Sequence, residues 1–238
     1  MPRSAAAEPS ALGLKRVRLL EGVPLPALEA LARECRWRRF AADQRVVSRE
    51  APDNDVYLIV SGRVRVTAFS AGGRQVTFGD LHGGEWFGDF AAIDGLSRSA
   101  DVVAVDDTLV ASMAPAVFLR LLHEHVAVGD RMLLRLVNSI RELTERVFEF
   151  STLGVQNRLH AELLRLARQA GVEGNRARID PAPKHADIAS QISTYREQVT
   201  RELSVMAKQG LIERSGGALV IPDVARLERI VSEVRHSA

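Results

Sequence analysis

A chain of 238 residues with a formal charge of +2 is long enough for two ordinary domains with their own cores, and too nearly neutral for charge alone to declare a nucleic-acid partner. Its single cysteine, Cys35, excludes a structural disulfide within the chain and a four-cysteine iron–sulfur cluster. No apolar run approaches the roughly 18 residues of a membrane span, and Met1 to Leu12 lacks the apolar core of a secretion signal, so no membrane partner and a cytoplasmic location are expected. Met1 to Leu12, rich in Ala, Ser and Pro, reads as a loose tail. In the segment Leu14 to Trp37, residues Leu28, Leu31 and Ala32 keep helical register, which predicts a helix packed ahead of a strand-rich region. Arg36-Trp37-Arg38-Arg39 reads as the basic end of that helix, with Cys35 a buried, inert thiol beside it.

The strand-rich region begins near Val56. Val56 to Val60 is a buried apolar run ending at Ser61-Gly62, and Arg63 to Thr67 alternates charged and apolar residues as a half-exposed strand does. Gly72-Gly73 is placed for a tight hairpin into Gln75 to Phe78, and further short strands are expected at Asp101 to Val105 and Leu109 to Ser112. Asp106-Asp107 fits a turn between the last two. Short strands separated by glycine turns predict a small antiparallel barrel or jelly roll.

Between those strands lies Gly83 to Ala100, whose residue types suit a phosphate and a sugar. Gly88 lets backbone approach closely, Asp89 can accept from a ribose hydroxyl, Arg98 can offer two donors to phosphate oxygens, and the backbone N–H groups of Ser99 and Ala100 can complete an anion nest. Gly-Asp and Arg-Ser are common pairs in themselves. Their order resembles the phosphate-binding cassette of cyclic-nucleotide-binding domains, in which Gly-Glu precedes Arg-Ser-Ala by about ten positions. By that resemblance Asp89 would hold the ribose 2′-hydroxyl, and Arg98 and Ser99 the cyclic phosphate. Asp89 departs from the usual glutamate, a carboxylate one methylene longer.

Leu133, Leu136, Ile140, Leu143, Val147 and Phe150 follow alternating steps of three and four, the seam of a coiled coil, although a core helix of a monomer can carry a similar pattern. Gly154 then offers a flexible joint before a helix at Val155 to Arg168, on which Arg158 and Arg165 read as surface charges. His82, His123 and His125 lack metal-ligand spacing, so no metal is expected. No nucleophile elbow, P-loop or dinucleotide fingerprint is present, so the chain is not expected to be an enzyme.

The last third of the chain carries the most specific signal. His185 to Gln191 has the apolar spacing of a short helix, Ile192-Ser193 leaves room for a turn, and Thr194 with Glu197 has the spacing of a capping box. Val199, Leu203 and Met206 form an inward stripe that leaves Arg196, Glu197 and Arg201 on other faces. Arginine can grip guanine O6 and N7 with parallel bonds, and glutamate can accept from the cytosine amino group, although charges at such spacing also line ordinary solvated helices. Gly210 is placed as a left-handed stop, and Ser215-Gly216-Gly217 as a hairpin between Leu211-Ile212 and Leu219 to Ile221. After Gly154 there are 13 basic against 10 acidic residues, a mild excess on this part.

Helix, turn, helix and small hairpin with Arg196, Glu197 and Arg201 resemble the winged helix-turn-helix of the Crp-Fnr family of bacterial transcription regulators, from about Leu14 to Val234. The family often has Gly where this chain has Ser193, and Ser or Thr where it has Lys184. The resemblance implies an α+β fold: an N-terminal antiparallel β-roll, cyclic-nucleotide-binding-like, over residues 1–124, a long dimerisation helix over 125–153, and a C-terminal winged helix-turn-helix over 154–238. It implies effector contacts from Phe87, Gly88, Asp89, Arg98, Ser99, Ala100 and Thr144, with cyclic AMP or cyclic GMP as the small-molecule effector. It further implies DNA contacts from Lys184, His185, Tyr195, Arg196, Glu197 and Arg201, a homodimer on palindromic double-stranded DNA, and RNA polymerase as a partner. A different effector, no effector, or a ligand-sensing module that does not bind DNA are the rival readings.

Overall fold

The computed structural model describes residues 5–237 apart from 7, 71, 73 and 74. The chain divides into two compact units, Met1–Ser139 and Ile140–Ala238, and the division falls inside one long helix.

The first unit begins with β1 (Ala5–Ala6), α1 (Ala11–Leu14), a single 3-10 turn at Arg18–Leu20, and α2 (Leu25–Glu34). The segment expected as a loose tail is therefore partly ordered. Ala5 and Ala6 pair with Arg39 and Arg38, and the Ser10 hydroxyl accepts from the Gly13 N–H at 3.0 Å, capping α1; Met1–Ser4 and Ala7 lie outside the described residues. The next strands are β2 (Arg36–Phe40), β3 (Arg45–Val47), β4 (Val56–Ser61), β5 (Arg63–Phe69), β6 (Gln75–His82) and β7 (Trp86–Phe87). After α3 (Asp89–Asp94) come β8 (Asp101–Ala104), β9 (Thr108–Met113), α4 (Pro115–Glu124) and α5 (Val126–Thr152). Of the Gly72-Gly73 hairpin, Gly73 lies outside the described residues, while β5 and β6 pair through Phe69 opposite Gln75.

The strands form two antiparallel sheets, ordered β1-β2-β9-β4-β7 and β3-β8-β5-β6. Strand β4 shows why its apolar run has no alternation: both of its faces are covered. Val56, Leu58 and Val60 pack with Leu14, Leu28, Phe118 and Met132 in a core shared with the helices, while Tyr57 and Ile59 join Phe40, Val64, Phe87 and Val110 in the interior of the roll. Arg36-Trp37-Arg38-Arg39 is not a helix end. Helix α2 stops where the Cys35 N–H bonds to the Leu31 carbonyl, and the chain turns extended, with Trp37 and Phe40 buried in different cores and the three arginines exposed. Burial, with Glu34 and Asp55 adding to it, pushes the Cys35 thiol up to about 12, which leaves it unreactive.

The second unit holds the end of α5, then α6 (Val155–Ala170), β10 (Val172–Glu173), β11 (Arg176–Ile179), α7 (His185–Gln191), α8 (Arg196–Lys208), β12 (Glu213–Ser215), β13 (Ala218–Ile221) and α9 (Val224–Ser237). Its four strands run in the order β10-β11-β13-β12, and Leu159, Leu163, Ile188, Val199, Met206, Ile221 and Leu227 form a fully buried centre. Arg158 and Arg165 are not free surface charges. Arg158 is half-buried and donates to the carbonyls of Ile192 (3.1 Å) and Leu153 (2.9 Å). Arg165 pairs with two buried carboxylates, Glu162 and, at 3.4 Å, Glu149, and so ties the end of α5 to α6. Gly154 is the extended N-cap of α6, and a Cβ there would meet open space, so the geometry does not itself demand a glycine.

Candidate functional site

The phosphate-cassette segment sits where strand β7 passes into α3. Trp86 and Phe87 project to opposite faces, Trp86 into the helical core and Phe87 into the roll, where it stacks on Tyr57 with ring centroids 5.0 Å apart. Gly88 caps α3 at φ 88°, and a Cβ there would lie 2.6 Å from both Arg98 Nη1 and the Asp55 carbonyl oxygen. Only glycine lets these chains meet, so this residue is required by close approach as well as by dihedral.

Asp89, first residue of α3, is buried. Burial pushes its carboxyl above the usual carboxylate range, against the opposing pull of Arg135, of the backbone N–H groups of Asp89 and Phe90, and of Arg98. Its Oδ2 has no hydrogen-bond donor, and the nearest cation is Arg135 Nε at 3.8 Å. Arg135 reaches this place from α5, lying 4.3 Å over the Trp86 ring and donating to the Trp86 carbonyl at 2.8 Å.

Arg98 is also buried, only 4% exposed. Its Nη2 meets Asp53 Oδ1 at 2.5 Å and the Asp55 carbonyl at 2.8 Å, its Nη1 meets the Gly88 carbonyl at 3.3 Å, and its Nε has no partner. Tyr57 lies beneath the guanidinium, 5.6 Å from ring centroid to carbon, and its buried phenol is pushed up to about 12 by burial and then by Asp53. Ser99 is exposed and Ala100 buried. The fold thus brings Phe87, Gly88, Asp89, Arg98, Ser99 and Ala100 into one neighbourhood. Asp53, Tyr57 and Arg135 also belong to it; sequence reading missed them because they approach from distant parts of the chain. Thr144 lies on α5 in the second unit, exposed, its hydroxyl donating to the Ile140 carbonyl at 2.8 Å.

On α5 the apolar residues Leu133, Ile140, Leu143 and Val147 are 51 to 64% exposed. Leu136 is half-buried against the helical core and Val137, at 47%, continues the exposed stripe in its place. Phe150 carries the Arg158 guanidinium 5.5 Å over its ring.

In the second unit, α7 and α8 are joined by Ile192 to Tyr195, and Ser193 turns the chain at φ 56°. The capping box does not form. The Thr194 N–H is taken by the Ala189 carbonyl at 2.9 Å, the turn runs on to Tyr195 as N-cap, and α8 starts at Arg196 without a side-chain cap. Glu197 thereby sits free of capping, in the first turn where a carboxylate favours the helix dipole. Val199, Leu203 and Met206 are buried; Tyr195, Arg196, Glu197 and Arg201 are exposed, Arg201 donating to Gln198 at 3.1 Å. Lys184 is the exposed N-cap of α7. His185 links three elements: Arg214 on β12 donates to its Nε2 at 2.8 Å, and its Nδ1 lies 2.7 Å from the Thr200 hydroxyl on α8. Because guanidinium has only donors, Nε2 accepts and Nδ1 carries the proton. Burial, then Arg214 and Arg196, hold His185 below the usual histidine range, which fits this neutral form.

Helix α8 ends in a Schellman pair, Leu211 N–H to Met206 carbonyl (3.0 Å) and Gly210 N–H to Ala207 carbonyl (3.1 Å). The hairpin beyond it pairs Ser215 with Ala218 around Gly216-Gly217, both at positive φ, so its first strand is Glu213–Ser215 rather than Leu211-Ile212, which are buried in the core instead. Arg214, on the first strand of this hairpin, is a further residue that the sequence did not single out. Among the described residues no cluster of His, Cys, Asp and Glu is placed to hold a metal, and no helix is long and apolar enough to cross a membrane.

Comparison with known proteins agrees with these two units. Residues 37–125 match the cyclic nucleotide-binding domain and residues 157–230 the Crp-like helix-turn-helix domain. The chain is 31% identical over 175 residues to a cyclic AMP receptor protein of Thermus thermophilus, covering 74% of this chain and 78% of that one. It is 24% identical over 217 residues to a CRP-like cAMP-activated global transcriptional regulator of Mycobacterium tuberculosis, covering 91% and 97%. The structure of a CooA mutant from Carboxydothermus hydrogenoformans superposes with a TM-score of 0.77 at 20% identity, covering 96% of this chain and 98% of that one, a likeness of fold. With a cyclic nucleotide-binding domain followed by a Crp-like helix-turn-helix, this chain belongs to the Crp-Fnr family of transcription regulators.

Proposed function

We propose that this regulator acts in the cytoplasm as a homodimer on palindromic double-stranded DNA, under control of a cyclic nucleotide, cyclic AMP or cyclic GMP, bound in the roll, and that it contacts RNA polymerase. The observation that carries the DNA reading is the division of α8 into a buried stripe, Val199, Leu203 and Met206, and an exposed face bearing Arg196, Glu197 and Arg201. Arg196 and Arg201 read guanine and Glu197 reads cytosine, while Lys184, Tyr195 and His185 flank that face. The exposed seam of α5 supports the dimer, since apolar stripes of this kind on a helix are normally covered. Asp89 and Arg98 are the residues on which the effector reading rests, with Phe87, Gly88, Ser99 and Ala100 around the ligand. A regulator with a different effector, or none, is the second reading, and it is favoured by Arg98 already holding a carboxylate.

A gel-shift titration with a palindromic site, with and without each nucleotide, tests the DNA-binding and effector parts of this reading. A shift strengthened by one nucleotide supports it; a shift indifferent to both keeps the regulator and removes the effector. Arg196→Ala is expected to cost about 1 to 3 kcal/mol on the specific site and to relax preference at one base position. Equal weakening on specific and random DNA would reassign Arg196 to phosphate.

A further inference from the structure

The cation assigned to the ligand's phosphate is already engaged. Asp53 stands in the loop between β3 and β4, 45 positions before Arg98, and its Oδ1 lies 2.5 Å from Arg98 Nη2 and 3.5 Å from the Tyr57 hydroxyl. The Arg98 side chain is 4% exposed while that of Asp53 is 46% exposed, so the pair is closed on the protein side and open on the other. The remaining Arg98 contacts are neutral carbonyls, those of Asp55 and Gly88, and Nε is left bare. Asp53 therefore supplies the only anion that this guanidinium touches among the described residues. Carboxylate and phosphate oxygens satisfy the same donors of arginine, so they compete for one place.

We propose that Asp53 is a specificity-determining residue of the effector site: a tethered carboxylate that occupies the phosphate position on Arg98 and must be displaced before an anionic ligand can bind. This rests on the assignment of Arg98 to the ligand's phosphate. A tethered competitor acts at an effective concentration on the order of millimolar, so it screens out weakly bound anions and admits only those that gain further contacts in the pocket. A cyclic nucleotide has those contacts available through its ribose and base. Inorganic phosphate does not. Asp53 so converts a general anion site into one that demands the rest of the ligand.

Calorimetric titration of the full chain with cyclic AMP, cyclic GMP and inorganic phosphate tests this on wild type, Asp53→Asn, Asp53→Ser and Asp53→Glu. The neutral variants are expected to bind the nucleotide about tenfold tighter or more and to gain phosphate binding, while Asp53→Glu stays within a few-fold of wild type. Adding Arg98→Ala to Asp53→Asn should abolish the gained binding. Nucleotide affinity that is equal in wild type and both neutral variants overturns the proposal and leaves the nucleotide reading standing. Phosphate binding gained in the neutral variants without nucleotide binding in any form upholds Asp53 as the competitor and overturns the nucleotide reading. No anion bound by any variant overturns both. Asp53→Ser serves if Asp53→Asn does not fold, since it removes the charge with a smaller side chain.

Discussion

Two histidines in the DNA-binding unit are expected to make its stability fall in acid. His160 is 5% exposed with both ring nitrogens unpartnered, and burial holds it below the usual histidine range against the pull of Glu202. His185, half-buried, is held low in the same direction, by burial first and then by Arg214 and Arg196. A histidine whose folded pKa is lowered binds fewer protons than the unfolded chain just below about pH 6.5, so stability is full above that value and is lost as pH falls. Asp89 acts with the opposite sign: its raised carboxyl makes stability fall as pH rises from about 4. Comparing variants at each pH separates these effects. His160→Leu is expected to shrink the acid-side loss in urea melts between about pH 5 and 7. At about pH 7.5 it should cost less than about 1 kcal/mol or stabilise, because it replaces a buried polar ring that has no partner. An unchanged pH profile would show that His160 is not the source. At His185 protonation also removes the acceptor for Arg214, so the link between α7 and β12 opens on the acid side.

Among the elements, the turn between α7 and α8 is held by a strained residue. Ser193 adopts φ 56°, a left-handed conformation that disfavours side chains bearing a Cβ by roughly 1 to 2 kcal/mol. Ser193→Gly removes that strain and adds glycine's larger loss of freedom on folding, for an expected net gain of about 0.5 to 1 kcal/mol in chemical denaturation. DNA preference should stay the same, since α8 keeps its start at Arg196. A loss of stability would mean that the Ser193 side chain contributes more than its backbone costs. The same turn explains why the capping box failed as a sequence signal. Thr194 and Glu197 have the right spacing, but the Thr194 N–H bonds back to Ala189, and that bond carries the turn further along the chain before the helix can begin. Strand β2 was hidden because a run with three arginines reads as a polar helix end, and only Trp37 and Phe40, each buried in a different core, mark it as a strand.

At the scale of the whole chain, the exposed apolar stripe on α5 is the surface that the proposed dimer would cover. Leu143→Glu places a charge in it and is expected to lower dimerisation and DNA affinity together, the latter by about tenfold or more at protein concentrations near the dimer constant, with melting of the two units unchanged. Sedimentation velocity and gel shift on the same preparation check this. A mutant still dimeric, with undiminished DNA binding, would show that the seam is not the interface. A two-fold dimer has to present its recognition helices to half-sites roughly 34 Å apart, which is why loss of pairing and loss of DNA affinity should travel together.

Features that depend on neighbours a few residues apart were legible along the chain: the inward stripe of α8, the glycine hairpin after it, the covered run of β4, the alternating three- and four-residue spacing of α5, and the Gly-Asp and Arg-Ser pairs of the cassette. The stripe and seam follow helical spacing, the hairpin follows glycine's dihedral freedom, and the β4 run and the cassette pairs are read from contiguous residue types, all of which a linear sequence displays. What those residues face was settled by packing alone. The partner of Arg98 is 45 positions away, that of Asp89 arrives from another helix, and His185 meets Arg214 across 29 positions. Nothing local marks Asp53, Arg135 or Arg214, because a buried charge is satisfied by whichever opposite group the packed fold delivers to it, and that choice is made by three-dimensional proximity rather than by spacing in the chain.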